Sequence, residues 1–272
     1  MQMITNFYVH PENVRKDSLK IVGEEAKHIA TVLRHQKGET IDVVDGCGTR
    51  YKVLIQDLGK NYVEGKILSK KRRENEPIAH LTLAQSICKG MKMDFLIEKA
   101  TEVGVSAIIP ILTENTVVKM GKTAEEDGSA SFGFAQDKSP SAKRKTERWR
   151  RVAIASMKQS LRSILPDIHN PIKFSDFLPK IKTFDLSLIA SLEKGAKSLR
   201  ECGELKRRLR NKESLHDVLI MVGPEAGFTE DELSRAKTFG AIPITLGSRR
   251  LRTETAGIVF SSLVLYELED LG

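Results

Sequence analysis

The chain has 272 residues, 40% of them hydrophobic and only 6% aromatic, and a formal net charge of +8. That length supports two domains with a sizeable core, and the positive balance favours an anionic partner. Three cysteines without C-x-x-C spacing (Cys47, Cys88, Cys202) and six scattered histidines argue against a disulfide framework or a zinc site, so no metal is expected.

In chain order, Met1 to Asn6 lacks the apolar core of a signal peptide, and no apolar run approaches the length of a membrane span. A cytoplasmic protein without membrane association is therefore expected. Residues 1–73 read as a small β-rich domain. Strands are predicted at Asn6–Val9 and Leu19–Val22. A helix follows over Gly23–Arg34, with Ala26, Ile29, Ala30 and Leu33 on one face. After Thr40–Val44, Asp45-Gly46 is a hairpin signal, and two more strands follow over Arg50–Gln56 and Asn61–Leu68. Strands this short and closely spaced predict a compact barrel. The basic run Lys70 to Arg73 and Pro77 mark a linker.

Residues 74–272 alternate strand and helix, which predicts a parallel sheet. Ile78–Ser86 is a strand, and Lys89-Gly90 opens a loop into a helix. Met93, Leu96, Ile97, Ala100 and Val103 form its apolar face, and Gly104 ends it. Val105–Leu112 is a buried strand. Residues 122–145 are small, polar and aperiodic, and read as a disordered, dispensable insertion. Helix returns at Glu147 and carries Arg148, Arg150 and Arg151 beside the basic Lys143-Arg144-Lys145. Phe174–Ile181 reads as a short helix, Leu186–Ser191 as a strand and Lys197–Lys212 as an exposed basic helix. The end of that strand, Ala190-Ser191-Leu192-Glu193, is expected to border a ligand.

The C-terminal stretch is the most patterned. An apolar strand, Val218–Val222, runs into Gly223-Pro224-Glu225-Ala226-Gly227. Thr229 and Glu232 form a capping box for a helix that closes at Gly240. A strand at Ile242–Leu246 leads to a second glycine loop at 247–255, and a last helix runs over Glu254–Glu269. Both loops leave the carboxyl ends of strands, the edge where open α/β sheets bind ligands.

Gly223-Pro224-Glu225-x-Gly227, followed by Leu246-Gly247-x-Arg249-x-Leu251-Arg252-x-Glu254-Thr255-Ala256, resembles the SPOUT methyltransferases. More narrowly it is similar to the bacterial 16S rRNA uracil-N3 methyltransferases, the RsmE family. His28-Ile29-x-x-Val32-Leu33-Arg34-x-x-x-Gly38 resembles that family's PUA-like domain. Lys89-Gly90-x-Lys92-Met93-Asp94 and Gln159-Ser160-x-Arg162 resemble two further signatures. The chain departs from the pattern at Ala226 (often glycine), Arg250 (usually aliphatic) and Lys158 (commonly glutamate).

The resemblance implies an N-terminal PUA-like β-barrel that binds RNA and a C-terminal SPOUT α/β domain with a parallel sheet and a trefoil knot. It implies S-adenosylmethionine held by Leu192, Met221, Val222, Gly223, Pro224, Glu225, Leu246, Gly247, Leu251, Arg252, Thr253, Thr255 and Ala256. The implied reaction is methylation of uridine N3 in the 16S rRNA of the 30S subunit. Arg34, Lys89, Lys92, Arg162 and Arg249 are the candidate RNA contacts. Arg252 is placed to meet charge developing on the uracil. Glu254 is a candidate base, or equally a carboxylate that favours a helix N-terminus. A homodimer is expected through the apolar residues Val259, Phe260, Leu263, Val264 and Leu268 of the last helix. Two other readings stand beside this one: a SPOUT methyltransferase with another rRNA or tRNA target, and a non-catalytic RNA-binding protein with a SPOUT-like fold. The intact Gly223-Pro224-Glu225 and Leu251-Arg252-x-Glu254-Thr255 speak against the second.

Overall fold

The computed structural model describes residues 6–116, 140–210 and 216–271. The chain divides into two compact units, one of Met1–Glu76 with Ala153–Leu165 and one of Pro77–Val152 with Pro166–Gly272.

In the first unit, β1 (Phe7–Tyr8), β2 (Ser18–Val22), β3 (Thr40–Val44), β4 (Thr49–Gly59) and β5 (Tyr62–Arg72) form one sheet in the order β1-β3-β4-β5-β2. Every pairing is antiparallel except β1 with β3. The period-two alternation of the strands turns Leu19, Ile21, Ile41, Val43, Val53, Ile55 and Val63 into a single core. Lys70 to Arg72 close β5 rather than forming a linker. The β3–β4 connection is not a two-residue hairpin. The Asp45 carboxylate accepts from the backbone N–H of Cys47 (2.8 Å) and Thr49 (3.0 Å) and from the Tyr51 hydroxyl (2.9 Å), which ties a wider loop to itself.

The single helix expected over 23–34 is instead a turn of α-helix, α1 (Glu24–Lys27), running into a π-helix over His28–Val32. The Leu33 N–H bonds to the His28 carbonyl five residues back. Widening the turn rotates Leu33 off the apolar face. Ala26 and Ile29 are fully buried, while Val32 and Leu33 are 65% and 47% exposed. Arg34 then takes a left-handed φ of 56°.

The segment 153–165 is held in this unit by a buried ion pair. Glu76 accepts from Arg162 Nη2 at 2.8 Å and Nε at 3.1 Å, and from the N–H groups of Ser163 (2.6 Å) and Ile164 (2.8 Å). The two side chains are 1% and 3% exposed. Lys158, at a position of departure from the family pattern, pairs with Glu25 at 2.7 Å, and Glu25 also accepts from the Tyr8 N–H.

The second unit contains β6 (His80–Ser86), α2 (Lys92–Val103), β7 (Ala107–Leu112), α3 (Pro140–Gln159, in this unit as far as Val152), β8 (Asp167–Ile168) and β9 (Ile172–Lys173). It continues with α4 (Phe174–Phe177), β10 (Leu186–Ala190), β11 (Lys197–Ser198), α5 (Gly203–Arg210), β12 (Asp217–Val222), α6 (Glu230–Thr238), β13 (Ile242–Thr245) and α7 (Thr253–Glu267). Helix α3 starts at Pro140, not Glu147, so 140–145 is helical; the rest of the predicted insertion, 122–139, lies outside the described residues. The helix expected over Lys197–Lys212 is instead β11, a short 3-10 turn and α5 as far as Arg210, with 211–212 outside the described residues. The strand order is β11-β13-β10-β12-β6-β7-β8, with β9 beside β7, and every pairing is parallel. Leu219 and Met221 pack with Phe174, Phe177, Phe228 and Leu233 on one face. Val218 and Ile220, also buried, alternate to the other face, and α7 lies against β6 and β12 with α2 packed on it.

The Glu76–Arg162 pair generates a stability prediction. Arg162→Ala leaves Glu76 charged and buried without its partner, and should cost about 3–5 kcal/mol. Equilibrium urea unfolding checks this; a loss under about 1 kcal/mol would show that the pair does not hold the segment.

Candidate active site

Because the sheet is parallel, the loops after β6, β7, β10, β12 and β13 all leave at one edge. The central pair is β6 and β12, with Val222 opposite Gln85. Chain leaving β12 at Gly223 therefore emerges beside chain leaving β6 at Ser86.

Three segments are bonded together there. Gln85 Nε2 donates to Thr253 Oγ1 at 2.8 Å, and the Thr253 hydroxyl donates to the Gly223 carbonyl at 2.6 Å. Gln85 is fully buried and Thr253 is 3% exposed, so neither polar group can turn to bulk water. The first turn of α7 is thereby fixed to the ends of both central strands. Gly257, one turn further on, packs against Gln85, and a Cβ there would land on Gln85 Oε1. Gly223 is closed in as well, since a Cβ would sit 3.0 Å from the Phe228 amide nitrogen and 3.1 Å from the Gly227 carbonyl carbon.

Neighbouring loops brace this turn. Asn115 Nδ2 donates to the Gly227 carbonyl (3.1 Å). Thr229 and Glu232 make the predicted capping box, and Glu232 also accepts from the Glu114 N–H. Leu192, 63% exposed, lies beside Gly227.

A charged cluster lies over these loops. Lys92 Nζ, at the start of α2, is 3.6 Å from Glu225 Oε1 and 3.6 Å from Glu254 Oε1. The Glu254 side chain is only 8% exposed, and its Oε2 has no hydrogen-bond partner. Cys88 sits at the same edge. Burial pushes its thiol up to about 12, with the charges of Glu254 and then Glu225 adding to the effect and Lys92 opposing them.

The residues singled out by sequence sort as follows. Gly223, Pro224 and Glu225, Thr253, Glu254 and Leu192 converge at the strand edge. Met221 faces the hydrophobic core, so only its backbone borders the loop. Val222 is buried and Ala256 is 9% exposed, while Leu246 and Leu251 are half-buried. Gly247 is exposed with a left-handed φ of 106°, and Arg249, Arg250, Arg252 and Thr255 are exposed. Lys89 and Arg34 are exposed in their separate units. Lys92 is engaged with carboxylates of its own chain. Arg162 corrects an expectation: at 3% exposure and paired with Glu76 it presents nothing to a polyanion. The expected dimer face also divides. Phe260 and Val264 are fully buried in their own fold, whereas Leu263 and, beyond the expected set, Tyr266 are exposed. Gln85 was missed by the sequence reading; its only signal is an amide inside an apolar strand.

Comparison with known proteins gives consistent matches. The RNA methyltransferase domain matches residues 74–132 and 129–265, and the RNA methyltransferase PUA domain matches 21–68. The chain is 29% identical to the ribosomal RNA small subunit methyltransferase E of Bacillus subtilis, over 93% of this chain and 91% of that protein. It is 31% identical to the protein of that name in Mesomycoplasma hyopneumoniae, over 78% and 81%. Among solved structures it is similar to the Neisseria gonorrhoeae methyltransferase E bound to S-adenosyl methionine (TM-score 0.79, 29% identity, 97% of each chain). A Legionella pneumophila putative methyltransferase in complex with the same cofactor aligns at TM-score 0.80 and 27% identity over 98% of each chain.

Two predictions follow from the geometry. Thr253→Val keeps the shape but leaves Gly223 O and one Gln85 proton unpaired, and should cost about 1–3 kcal/mol in thermal or chemical unfolding. An unchanged midpoint would mean that the three segments are held otherwise. A thiol raised to about 12 is almost wholly protonated at pH 8. Iodoacetamide at pH 8 should therefore alkylate the exposed Cys47 of the native protein and spare Cys88, as read by peptide mass spectrometry.

Proposed function

The chain belongs to the ribosomal RNA small subunit methyltransferase E family of RNA methyltransferases, and on that premise we propose that it methylates N3 of a uridine in 16S rRNA. It is an S-adenosylmethionine-dependent rRNA methyltransferase. The observation that carries the site assignment is the hydrogen-bonded junction of Gln85, Thr253 and Gly223, which brings both glycine loops to one strand edge.

The residues there fit the cofactor. The 223–227 turn is too tight to carry a side chain at Gly223, so its backbone can lie against a ligand. Leu192 offers an apolar surface beside it, and the carboxylates of Glu225 and Glu254 suit a cationic molecule. When bound, S-adenosylmethionine supplies an electrophilic methyl group on a sulfonium.

Uracil N3 carries a proton at neutral pH, so the site must accept that proton and accommodate negative charge spreading to O2 and O4. Arg252, exposed at the N-cap of α7, sits at the positive end of the helix dipole, and that combination suits the growing charge. Glu254 is the candidate proton acceptor. Its unpartnered Oε2 supports that role over helix stabilisation alone. Lys89 and Arg249, both exposed, and Arg34 in the other unit are the proposed phosphate contacts. Leu263 and Tyr266, exposed on α7, support the proposed homodimer. A C-terminal segment knotted as in the SPOUT fold is proposed on the family membership. Among the described residues no helix is long and apolar enough to cross a membrane.

Nucleoside mass spectrometry of 16S rRNA from cells lacking this protein should show loss of 3-methyluridine, restored by the purified enzyme acting on 30S subunits. In single-turnover assays Arg252→Ala should slow methylation about a hundredfold with little change in RNA affinity. Weakened RNA binding at an unchanged single-turnover rate would move Arg252 from the chemistry to docking.

A further inference from the structure

We propose that Glu225 and Glu254, arranged around Lys92, make the site select by charge, holding the cationic methyl donor in preference to the neutral product, S-adenosylhomocysteine. The proposal rests on the cofactor placement above.

One ammonium serves two carboxylates. Lys92 Nζ lies 3.6 Å from each of Glu225 and Glu254, which leaves the trio one negative charge in excess. Among the described residues no ion pair joins Arg252 to either carboxylate. Glu254 has the stronger demand. Its side chain is more than nine-tenths buried, one oxygen shares Lys92, and the other has no hydrogen-bond partner. A buried carboxylate in that state gains from any further cation brought within reach. Cys88 lies in the same field, since each of the two carboxylates raises its thiol more than Lys92 lowers it.

The donor and the product differ in charge at the reacting atom. The donor carries a sulfonium, an ammonium and a carboxylate, so its net charge is positive. Transfer breaks the S–C bond and leaves its electron pair on sulfur, while the N3–C bond forms and the N3 proton departs to a base. The product is a thioether with no net charge. A site with one excess negative charge therefore holds the donor more tightly than the product, and its grip slackens once the methyl group has moved. Glu225 and Lys92 are 53% and 40% exposed, so both face outward where a ligand can meet them.

Calorimetric titration of the full-length protein with each of the two ligands tests this. Glu225→Gln should lower the ratio of donor to product affinity about tenfold, the effect of one charge at several ångströms in a partly screened site. Lys92→Met should move the same ratio in the opposite direction. Glu225 is exposed, so its variant should fold, and a matching unfolding midpoint confirms that. Equal shifts for both ligands in both variants would overturn charge selection while leaving the cofactor placement standing. Unchanged affinity for both ligands in both variants, and in Glu254→Gln, would remove these residues from the cofactor site and overturn the placement as well.

Discussion

Parallel pairing of β6 with β12 is the constraint on which the site depends. Parallel strands end at the same edge, and the opposition of Val222 to Gln85 fixes which residues meet there. Gln85 arrives at that edge fully buried, with an amide that must find partners inside the protein. Thr253 supplies one and passes its own proton to Gly223. The start of α7 is thus dictated by a hydrogen-bonding requirement arising 168 residues earlier in the chain. Thr253 holds this chain of bonds together, since without its hydroxyl both Gln85 and Gly223 lose a partner that water cannot replace.

The cost of the arrangement is visible in Glu254. A buried carboxylate oxygen without a hydrogen-bond partner is destabilising, and a protein shaped by stability alone would place a neutral side chain there. Its presence beside Lys92 and Glu225 fits the proposed charge selection, in which the field acts on a ligand rather than being cancelled internally. Gln85 Oε1 is likewise buried without a partner, whereas the bracing loops are satisfied. The capping box at Thr229 and Glu232, the Asn115 bond to Gly227 and the Lys237–Glu193 pair all fix loops around the cluster without entering it.

The C-terminal half was legible because its signals are local. A capping box, left-handed glycines and a period of 3.6 residues each act within a few positions, and the strands and helices they predict are present. What was missed depends on distance or on a change of period. No apolar spacing announces a π-helix, so Leu33 could not be read as exposed. The early start of α3 was hidden by Pro140, which interrupts helices but is tolerated in a first turn. Arg162 was assigned to RNA by its motif, yet Glu76, 86 residues away, decides where it points. Gln85 read as one polar position in a strand, because its partner is remote.

A polyanionic substrate and a cationic cofactor ask for opposite fields, and the proposed reaction brings both to one loop. The segment 247–256 meets this by switching environment at the helix start. Arg249, Arg250 and Arg252 are exposed before α7, and Glu254 is buried in its first turn. Exposed guanidinium groups can attract phosphates across solvent, where screening limits their reach to about 10 Å at moderate salt. The Glu254 carboxylate is instead shielded by burial, where screening is weak and a single charge counts for more. Burial alone therefore sorts the two fields, with only Thr253 standing between the last arginine and the carboxylate. The buried hydroxyl of Thr253 keeps that boundary in register with the strand edge.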